Sequence, residues 1–245
     1  MTVLVISDVH ANLQALEAVL EAEPDVDAIW CLGDVVDYGP SPNECIDVVR
    51  SLDVLCIAGN HDRAATGDFD ISLFNRGARL CSEWTQKVLT DDSKEFLRSL
   101  RPIRFMDNIQ LVHGSPRDPI FEYMFNLAIA VPNFRLFNGD MCMVGHTHAP
   151  LIFTCRDGAG GSPEYDVTVP EPGRPVTLKG VKSIVNPGGV GQPRDGDPRA
   201  AYMLLDPENL TVTLKRQSYD VAKTQELIRR ARLPSQMADR LAYGL

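Results

Sequence analysis

Residues 2–10 read Thr2-Val3-Leu4-Val5-Ile6-Ser7-Asp8-Val9-His10. The continuous apolar run predicts a buried strand, and polar residues follow where it ends. The same pattern recurs at residues 28–34, which end at Asp34, and at residues 54–60, which end at Asn60. Amphipathic stretches at about residues 12–21 and 45–49 separate the runs and predict helices. Strands that alternate with helices predict an α/β fold, in which ligands collect beyond the carboxyl ends of parallel strands.

The rest of the chain extends this architecture. Residues 71–100 are predicted mainly helical, and a helix is predicted near residues 127–137. Further strands are predicted at residues 103–105, 109–113, 141–144, 151–155, 181–185, 201–205 and 210–214. Residues 156–174 are dense in Gly and Pro and predict a loop or a loose hairpin. We predict a single domain, residues 1–245, with a helical tail at about residues 220–245 that is broken at Pro234.

Composition narrows the class of protein. The chain has 245 residues and a formal net charge of −9, which argues against binding long nucleic acid because such partners need basic surfaces. No membrane span or leader is evident, and the first strand begins almost at once, so we expect a cytoplasmic protein without a membrane partner. The six cysteines include no CxxC pair and are expected to be buried free thiols.

The histidines point to a metal site. The chain contains five histidines, and each follows a predicted strand: His10, His61, His113, His146 and His148. Aspartates and an asparagine occupy comparable positions, and no cysteine does. Carboxylate and imidazole ligands suit divalent metals that activate water, whereas thiolate-rich sites indicate structural zinc or iron–sulfur clusters. Histidines scattered for structural reasons would not all fall at strand ends.

These motifs, in this order, resemble the calcineurin-like metallophosphoesterases. The motifs are DxH at residues 8–10, GDxxD at 33–37, GNHD at 59–62, a strand-end His113 and GHTH at 145–148. The resemblance covers roughly residues 2–206 and is strongest to a bacterial branch with YfcE-type phosphodiesterases and diadenosine tetraphosphatase-like proteins. It implies an αββα sandwich, that is, two facing mixed β-sheets flanked by helices, with a dinuclear metal site at the strand ends.

The resemblance also implies the ligands of each metal. One metal would be held by Asp8, His10 and His148. The second would be held by Asn60, His113 and His146, and Asp34 would bridge the two. A hydroxide that bridges the metals would then attack phosphorus. Mn²⁺ and iron are the first choices for the two divalent or mixed-valence ions, with Zn²⁺, Ni²⁺ and Co²⁺ as alternatives.

Other residues have roles that are implied or left open. By resemblance, His61 is the catalytic acid or stabiliser that also contacts substrate together with Asn60, and Asp37 orients it. The alternative for His61 is a spare metal ligand or a structural residue. Asp62 is either in a buried ion pair with an arginine or catalytic. Asn12 is expected to cap a helix, with substrate contact as the alternative.

One departure from the family concerns phosphate binding. Protein serine/threonine phosphatases and symmetrical dinucleotide hydrolases carry an arginine where this chain has Tyr38. A guanidinium is a strong phosphate donor, so its loss argues against both activities. The Gly-rich turn at residues 186–194 is predicted to face the same cleft and to place Arg194 as the substrate-binding replacement. Alternatively, Arg194 or Arg199 forms salt bridges with Asp195 and Asp197.

The sequence therefore predicts a metal-dependent phosphoesterase acting on a small phosphorylated substrate. Phosphodiesters or nucleotide phosphoanhydrides are slightly favoured over monoesters because of Tyr38. A protein or small-molecule phosphomonoesterase is the alternative, and a non-catalytic scaffold of the same fold is the third hypothesis. A scaffold would be free to lose ligands, but this chain keeps the whole set. The pattern does not indicate an oligomeric state.

Overall fold

The computed structural model describes residues 1–158 and 161–245. Its strands are β1 (Val3–Ile6), β2 (Ala28–Cys31), β3 (Leu55–Cys56), β4 (Ile103–Met106), β5 (Ile109–Val112), β6 (Met141–Met143), β7 (Pro150–Asp157), β8 (Pro163–Thr168), β9 (Pro175–Thr177), β10 (Lys182–Pro187), β11 (Ala200–Asp206) and β12 (Thr211–Gln217). Its α-helices are α1 (Leu13–Ala22), α2 (Pro42–Ser51), α3 (Asn60–Ala65), α4 (Arg76–Val88), α5 (Asp91–Ser99), α6 (Leu127–Asn133), α7 (Val221–Arg230) and α8 (Ser235–Asp239).

The strands form two facing mixed sheets of six strands each. The first has the order β3-β2-β1-β11-β12-β9 and the second β4-β5-β6-β10-β7-β8. Strands β1, β2 and β3 run parallel to one another, as do β5, β6 and β10. Apolar side chains of both sheets, such as Val5 and Met203 of the first and Leu111 and Met143 of the second, fill the space between them. The predicted αββα sandwich is confirmed.

Helices cover the outer face of each sheet. Helices α1 and α2 pack on the first sheet through an apolar cluster that includes Leu16 and Ile46, and α6 packs on the second through Ala130. Each outer cluster is separate from the inner one because the side chains of a strand alternate between its two faces. Parallel strands buried on both faces explain why β1 is apolar at every position.

The predicted cap of α1 is present and also serves a second purpose. Asn12 Oδ1 accepts a hydrogen bond from the backbone N–H of Ala15 at 3.2 Å. The same oxygen accepts from Thr224 Oγ1 at 3.0 Å, and Asn12 Nδ2 donates to the Gly191 carbonyl at 2.8 Å. The cap therefore ties α1 to helix α7 and to the loop after β10.

Of the loop and the loose hairpin predicted for residues 156–174, the structure has a hairpin in the first part of the segment. In this hairpin β8 pairs antiparallel with β7, from Ile152–Thr168 to Asp157–Pro163. Residues 159 and 160 lie outside the described residues. Half-buried Tyr165 and Val167 alternate with exposed neighbours and pack on the outer cluster of the second sheet. That alternation is a strand signal, which the Gly and Pro content obscured. Strand β9, at the edge of the first sheet, was not predicted.

The C-terminal helices α7 and α8 pack beside the strand ends. Ile228 and Met237 join a buried cluster with Tyr38 and Cys81. Five of the six cysteines are buried, and Cys155 is partly buried; all six are free thiols. Within the described residues, no helix is both long enough and apolar enough to cross a membrane.

Candidate metal centre

The structure brings the predicted metal ligands together at one edge of the sandwich. Each follows the carboxyl end of a strand or opens the helix after it: Asp8 and His10 after β1, Asp34 after β2, Asn60 at the start of α3, His113 after β5, and His146 and His148 after β6. Parallel strands end on the same side of their sheet, so the two parallel sets deliver these side chains to a common cleft.

Several ligand positions have strained backbone. Asp8, His10, Asp34, His146 and His148 have φ between +46° and +66°. Non-glycine residues rarely adopt this left-handed region, and each such residue costs about 1–3 kcal/mol. The turns therefore hold the side chains inward at the expense of stability. Gly59 leaves room for the Asp34 side chain, because a Cβ at this position would collide with the Asp34 carboxylate.

The first cluster contains Asp8, His10 and His148, all buried. His148 Nε2 lies 3.2 Å from Asp8 Oδ1 and 3.2 Å from His10 Nε2. Asp8 Oδ1 lies 3.9 Å from His10 Nε2. Three donor atoms therefore converge on one point.

The second cluster contains Asp34, His113 and His146, and it adjoins the first. His113 Nε2 lies 3.1 Å from both Asp34 Oδ2 and His146 Nδ1. Asp34 Oδ2 is also 3.7 Å from His10 Nε2 in the first cluster. One carboxylate oxygen thus faces both clusters, which is the geometry of a bridging ligand.

Backbone carbonyls determine the tautomer of each histidine. The outer ring nitrogens donate to carbonyl oxygens: His10 Nδ1 to Val36, His113 Nδ1 to Leu32, His148 Nδ1 to Gln192 and His146 Nε2 to Phe121, at 2.9, 2.8, 2.6 and 3.2 Å. With its proton on the outer nitrogen, a neutral imidazole turns a lone pair inward. The lone pairs of His10 and His148 then face each other, and a cation between them would remove their repulsion.

In Asp8 and Asp34, one carboxylate oxygen accepts a hydrogen bond and the other has no partner. Asp8 Oδ2 accepts from the backbone N–H of His146 at 3.1 Å, and Asp34 Oδ1 accepts from the backbone N–H of His61 at 2.9 Å. The other oxygens, Asp8 Oδ1 and Asp34 Oδ2, are buried and have no hydrogen-bond partner within the described residues, and neither does Asn60 Oδ1. Unpartnered buried oxygens are costly. The donor set therefore fits two metal cations.

Burial and charge set the protonation of these groups. Burial lowers the pKa of His10, His146 and His148 well below the ordinary value, which keeps them neutral as metal ligands require. Burial disfavours charge on His113 as well, but the Asp34 carboxylate outweighs it and raises the pKa of His113 to about 10. The negative potential that holds this proton would equally attract a cation.

His61 and Asp37 form a buried pair at the edge of the clusters. His61 Nδ1 donates to Asp37 Oδ2 at 2.8 Å, and Ser82 Oγ of α4 donates to the same oxygen. Burial opposes charge on His61, but Asp34 and the hydrogen bond to Asp37 outweigh it and raise the pKa of His61 above its ordinary value. The surroundings of the imidazole therefore favour its protonated form more than water does. No sequence motif pointed to Ser82.

Asp62 has a structural role that the sequence did not predict. Its fully buried carboxylate accepts hydrogen bonds from four backbone N–H groups, those of Asp34, Val35, Val36 and Gly59, at 2.8, 2.9, 3.4 and 2.9 Å. Within residues 1–158 and 161–245, Asp62 forms no ion pair with an arginine. The carboxylate instead holds together the turns after β2 and β3, and so positions Asp34.

Arg194 adjoins the first cluster, because its backbone N–H donates to the His148 carbonyl at 3.2 Å, and the alternative of salt bridges applies only to Arg199. Arg199 pairs with Asp197 at 2.6 Å, and Arg216 pairs with Asp195. The Arg194 guanidinium carbon lies 5.8 Å from the centre of the Tyr38 ring, and its Nη2 donates to Gln192 Oε1 at 2.8 Å. Its Nε has no hydrogen-bond partner in the part of the chain described. The Tyr38 ring itself contacts His10 and His61, each at 4.6 Å between centroids.

Comparisons with known proteins agree with this fold. The chain belongs to the calcineurin-like phosphoesterase superfamily, whose domain profile matches residues 1–210. It is 36% identical to an uncharacterized protein of Methanocaldococcus jannaschii, over 99% of this chain and 98% of that protein. The crystal structure of a metallophosphoesterase from Sphaerobacter thermophilus has 44% identity and a TM-score of 0.88, and the match covers 100% of this chain and 99% of that one.

A partial match concerns a protein of known activity. The symmetrical bis(5'-nucleosyl)-tetraphosphatase of Baumannia cicadellinicola is 30% identical over 44% of this chain and 39% of its own length. The chain thus matches well under half of that relative. The predicted family and fold are confirmed by these comparisons, and membership of a phosphoesterase family supports a hydrolase.

Proposed function

We propose that this protein is a dinuclear metallophosphoesterase that prefers phosphodiesters or nucleotide phosphoanhydrides. The observation that supports it most directly is Asp34 Oδ2, which faces His113 Nε2 at 3.1 Å and His10 Nε2 at 3.7 Å. Asp8, His10 and His148 would hold one cation, and Asn60, His113 and His146 the other, with Asp34 shared. When bound, two such cations activate water and neutralise charge on phosphoryl oxygens.

The protein's own residues supply the remaining chemistry. His61, which Asp37 holds and whose pKa is raised, is positioned to donate a proton to the leaving oxygen. Arg194 would bind a phosphoryl oxygen in place of the arginine that Tyr38 replaces. The donor set contains no thiolate, so we propose Mn²⁺ or iron, with Zn²⁺, Ni²⁺ and Co²⁺ as alternatives.

A comparison of two esters tests the proposal. We expect metal-stripped protein reloaded with Mn²⁺ to release p-nitrophenol from bis-p-nitrophenyl phosphate faster than from p-nitrophenyl phosphate, and metal analysis to give two ions per chain. A preference for the monoester would contradict the diesterase proposal and favour a phosphatase. If fully loaded protein hydrolyses neither ester, the enzymatic proposal itself is wrong and the scaffold hypothesis replaces it.

Arg194 provides a second prediction. We expect Arg194→Ala to lower kcat/KM for the diester by about 10- to 100-fold, because hydrogen bonds to charged groups contribute about 1.5–3 kcal/mol. Arg194→Lys should recover only part of the loss, since an ammonium cannot form the two parallel bonds of a guanidinium. Steady-state kinetics measure both. Arg199→Ala, which removes a guanidinium that is paired with Asp197, is the matched control and should behave as wild type. Equal kcat/KM values for Arg194→Ala and Arg199→Ala would refute the role.

A further inference from the structure

An aromatic cleft opens directly beside the candidate metal centre. It has a volume of about 460 Å³, and Asn60, His61 and His146 form the side nearest the clusters. Phe69 and Phe74 line it from the segment between α3 and α4, and Phe121 and Tyr123 from the segment between β5 and α6. The proposed reaction uses none of these four side chains.

The four rings form an aromatic wall that contacts His61 on one side and His146 on the other. Phe74 lies 4.8 Å from His61, Phe69 lies 5.5 Å from Phe74, and Phe121 lies 4.7 Å from Phe69, all between ring centroids. On the other side, Tyr123 stacks on His146 at 3.8 Å with an interplanar angle of 23°. A group bonded to a phosphate at the metal centre would enter this cleft at once.

Several aromatic rings of this region are exposed to solvent, although packing of the core does not require them there. Phe121 is 39% exposed and Tyr123 is 40% exposed. Phe125 is 53% exposed and stacks parallel to Tyr123, with 5.2 Å between the ring centroids. Exposed apolar groups gathered around a cleft usually mark a binding site, because isolated ones are common but clusters are not.

The segment that carries Phe121 and Tyr123 is held in place. The Phe121 carbonyl accepts from His146 Nε2 at 3.2 Å, which joins the wall to a metal ligand. Glu122 accepts from Ser115 Oγ at 2.6 Å and from Asn133 Nδ2 at 2.9 Å, and it pairs with Arg117. Preorganised aromatic surfaces bind flat groups with little loss of conformational entropy.

We propose that this cleft binds the nucleobase of a nucleotide whose phosphate lies at the metal centre. The inference rests on the proposed function and names its substrate class. None of the described residues that line the cleft is Lys, Arg, Asp or Glu, and its two histidines, His61 and His146, lie on the side nearest the clusters, so the aromatic part of the cleft suits a neutral ring. Stacking on several aromatic faces favours a flat heterocycle over an alkyl chain, and the cleft is too small for a folded protein surface.

Three phosphate monoesters that share a charged head group isolate the contribution of the base. We would measure, on Mn²⁺-loaded protein, the binding of adenosine 5'-monophosphate, ribose 5-phosphate and phenyl phosphate by calorimetry, and their inhibition of bis-p-nitrophenyl phosphate hydrolysis. Stacking of one base is expected to make adenosine monophosphate bind about 10- to 100-fold more tightly than ribose 5-phosphate. Phenyl phosphate should fall between the two.

Two variants test whether the aromatic wall causes the preference for adenosine monophosphate over ribose 5-phosphate. Phe69→Leu and Phe121→Leu keep an apolar side chain but remove a flat ring, so each should reduce the advantage of adenosine monophosphate over ribose 5-phosphate several-fold. The ring contacts of Phe69 and Phe121 are with Phe74 and with each other, and not with a histidine of the metal clusters. Phe105→Leu is the matched control, because Phe105 is 67% exposed on β4 and does not line the cleft.

The outcomes separate this inference from the function on which it depends. Equal binding of adenosine monophosphate and ribose 5-phosphate by protein that hydrolyses the diester would overturn the nucleobase site and leave the phosphoesterase intact. Phenyl phosphate binding as tightly as adenosine monophosphate would overturn it in favour of an aryl phosphate. Absence of hydrolysis with a normal nucleotide preference in calorimetry would instead contradict only the proposed activity.

Discussion

His61→Ala is expected to lower kcat by about 10²- to 10⁴-fold, the usual contribution of a general acid. The imidazole donates to Asp37 at 2.8 Å through Nδ1, which leaves Nε2 for the leaving oxygen. The loss should depend on the leaving group. It should be smallest for p-nitrophenolate, which leaves without protonation, and largest for an alkoxide. Steady-state kinetics with aryl and alkyl phosphodiesters of graded leaving-group pKa measure this dependence.

Metal content distinguishes this role from that of a spare ligand. His61→Ala should retain two ions per chain, because His61 belongs to neither cluster. Loss of an ion in elemental analysis of the variant would show that His61 is a ligand. Ser82→Ala is a useful companion variant: it removes one of the two donors to Asp37 Oδ2 and leaves His61 in place, so its effect should be much smaller.

Asp62→Ala is expected to lower the free energy of unfolding by about 2–5 kcal/mol. The substitution leaves four backbone N–H groups buried without an acceptor, those of Asp34, Val35, Val36 and Gly59. Urea unfolding of metal-free protein measures the change, because bound metal would add its own stabilisation to the native state. The midpoint should fall while the slope with denaturant stays the same.

A surface aspartate is the control for this prediction. Asp47 is exposed on α2, and Asp47→Ala should change the free energy of unfolding by no more than about 0.5 kcal/mol. Coincident unfolding curves for Asp62→Ala and Asp47→Ala would refute the structural role of Asp62. Asp62→Ala should also weaken metal binding, since the turn that carries Asp34 loses its anchor.

The candidate ligands were predictable because their residue types and their positions after strands both indicate a metal site. Asp8 and Asp34 each follow an apolar strand, and polar residues at such places are exposed to the cleft of an α/β sheet. All five histidines follow predicted strands, which argued against a scattered structural role. The parallel β1, β2 and β3 were predictable for a related reason: strands buried on both faces are apolar throughout.

Other features depended on contacts between distant segments. Asp62 is adjacent to His61 in sequence, yet its partners are backbone groups of the turns after β2 and β3, which carry no residue-specific signal. Ser82 reaches Asp37 from α4. The hairpin of β7 and β8 was one of two alternatives, because the Gly and Pro content also suited a loop; the alternation of Tyr165 and Val167 was the better signal.

The amino-acid sequence by itself determined the family, the alternating architecture and the residues able to bind metal, because periodicity and ligand chemistry are local properties. Only the tertiary structure decided which side chains converge. It places Asp34 Oδ2 between His10 and His113, and it places the Arg194 guanidinium over the Tyr38 ring. It also joined two segments about 50 residues apart, those of Phe69 and Phe121, into one aromatic wall. Convergence depends on the packing of the two sheets, in which segments distant in sequence become neighbours through burial of a shared core.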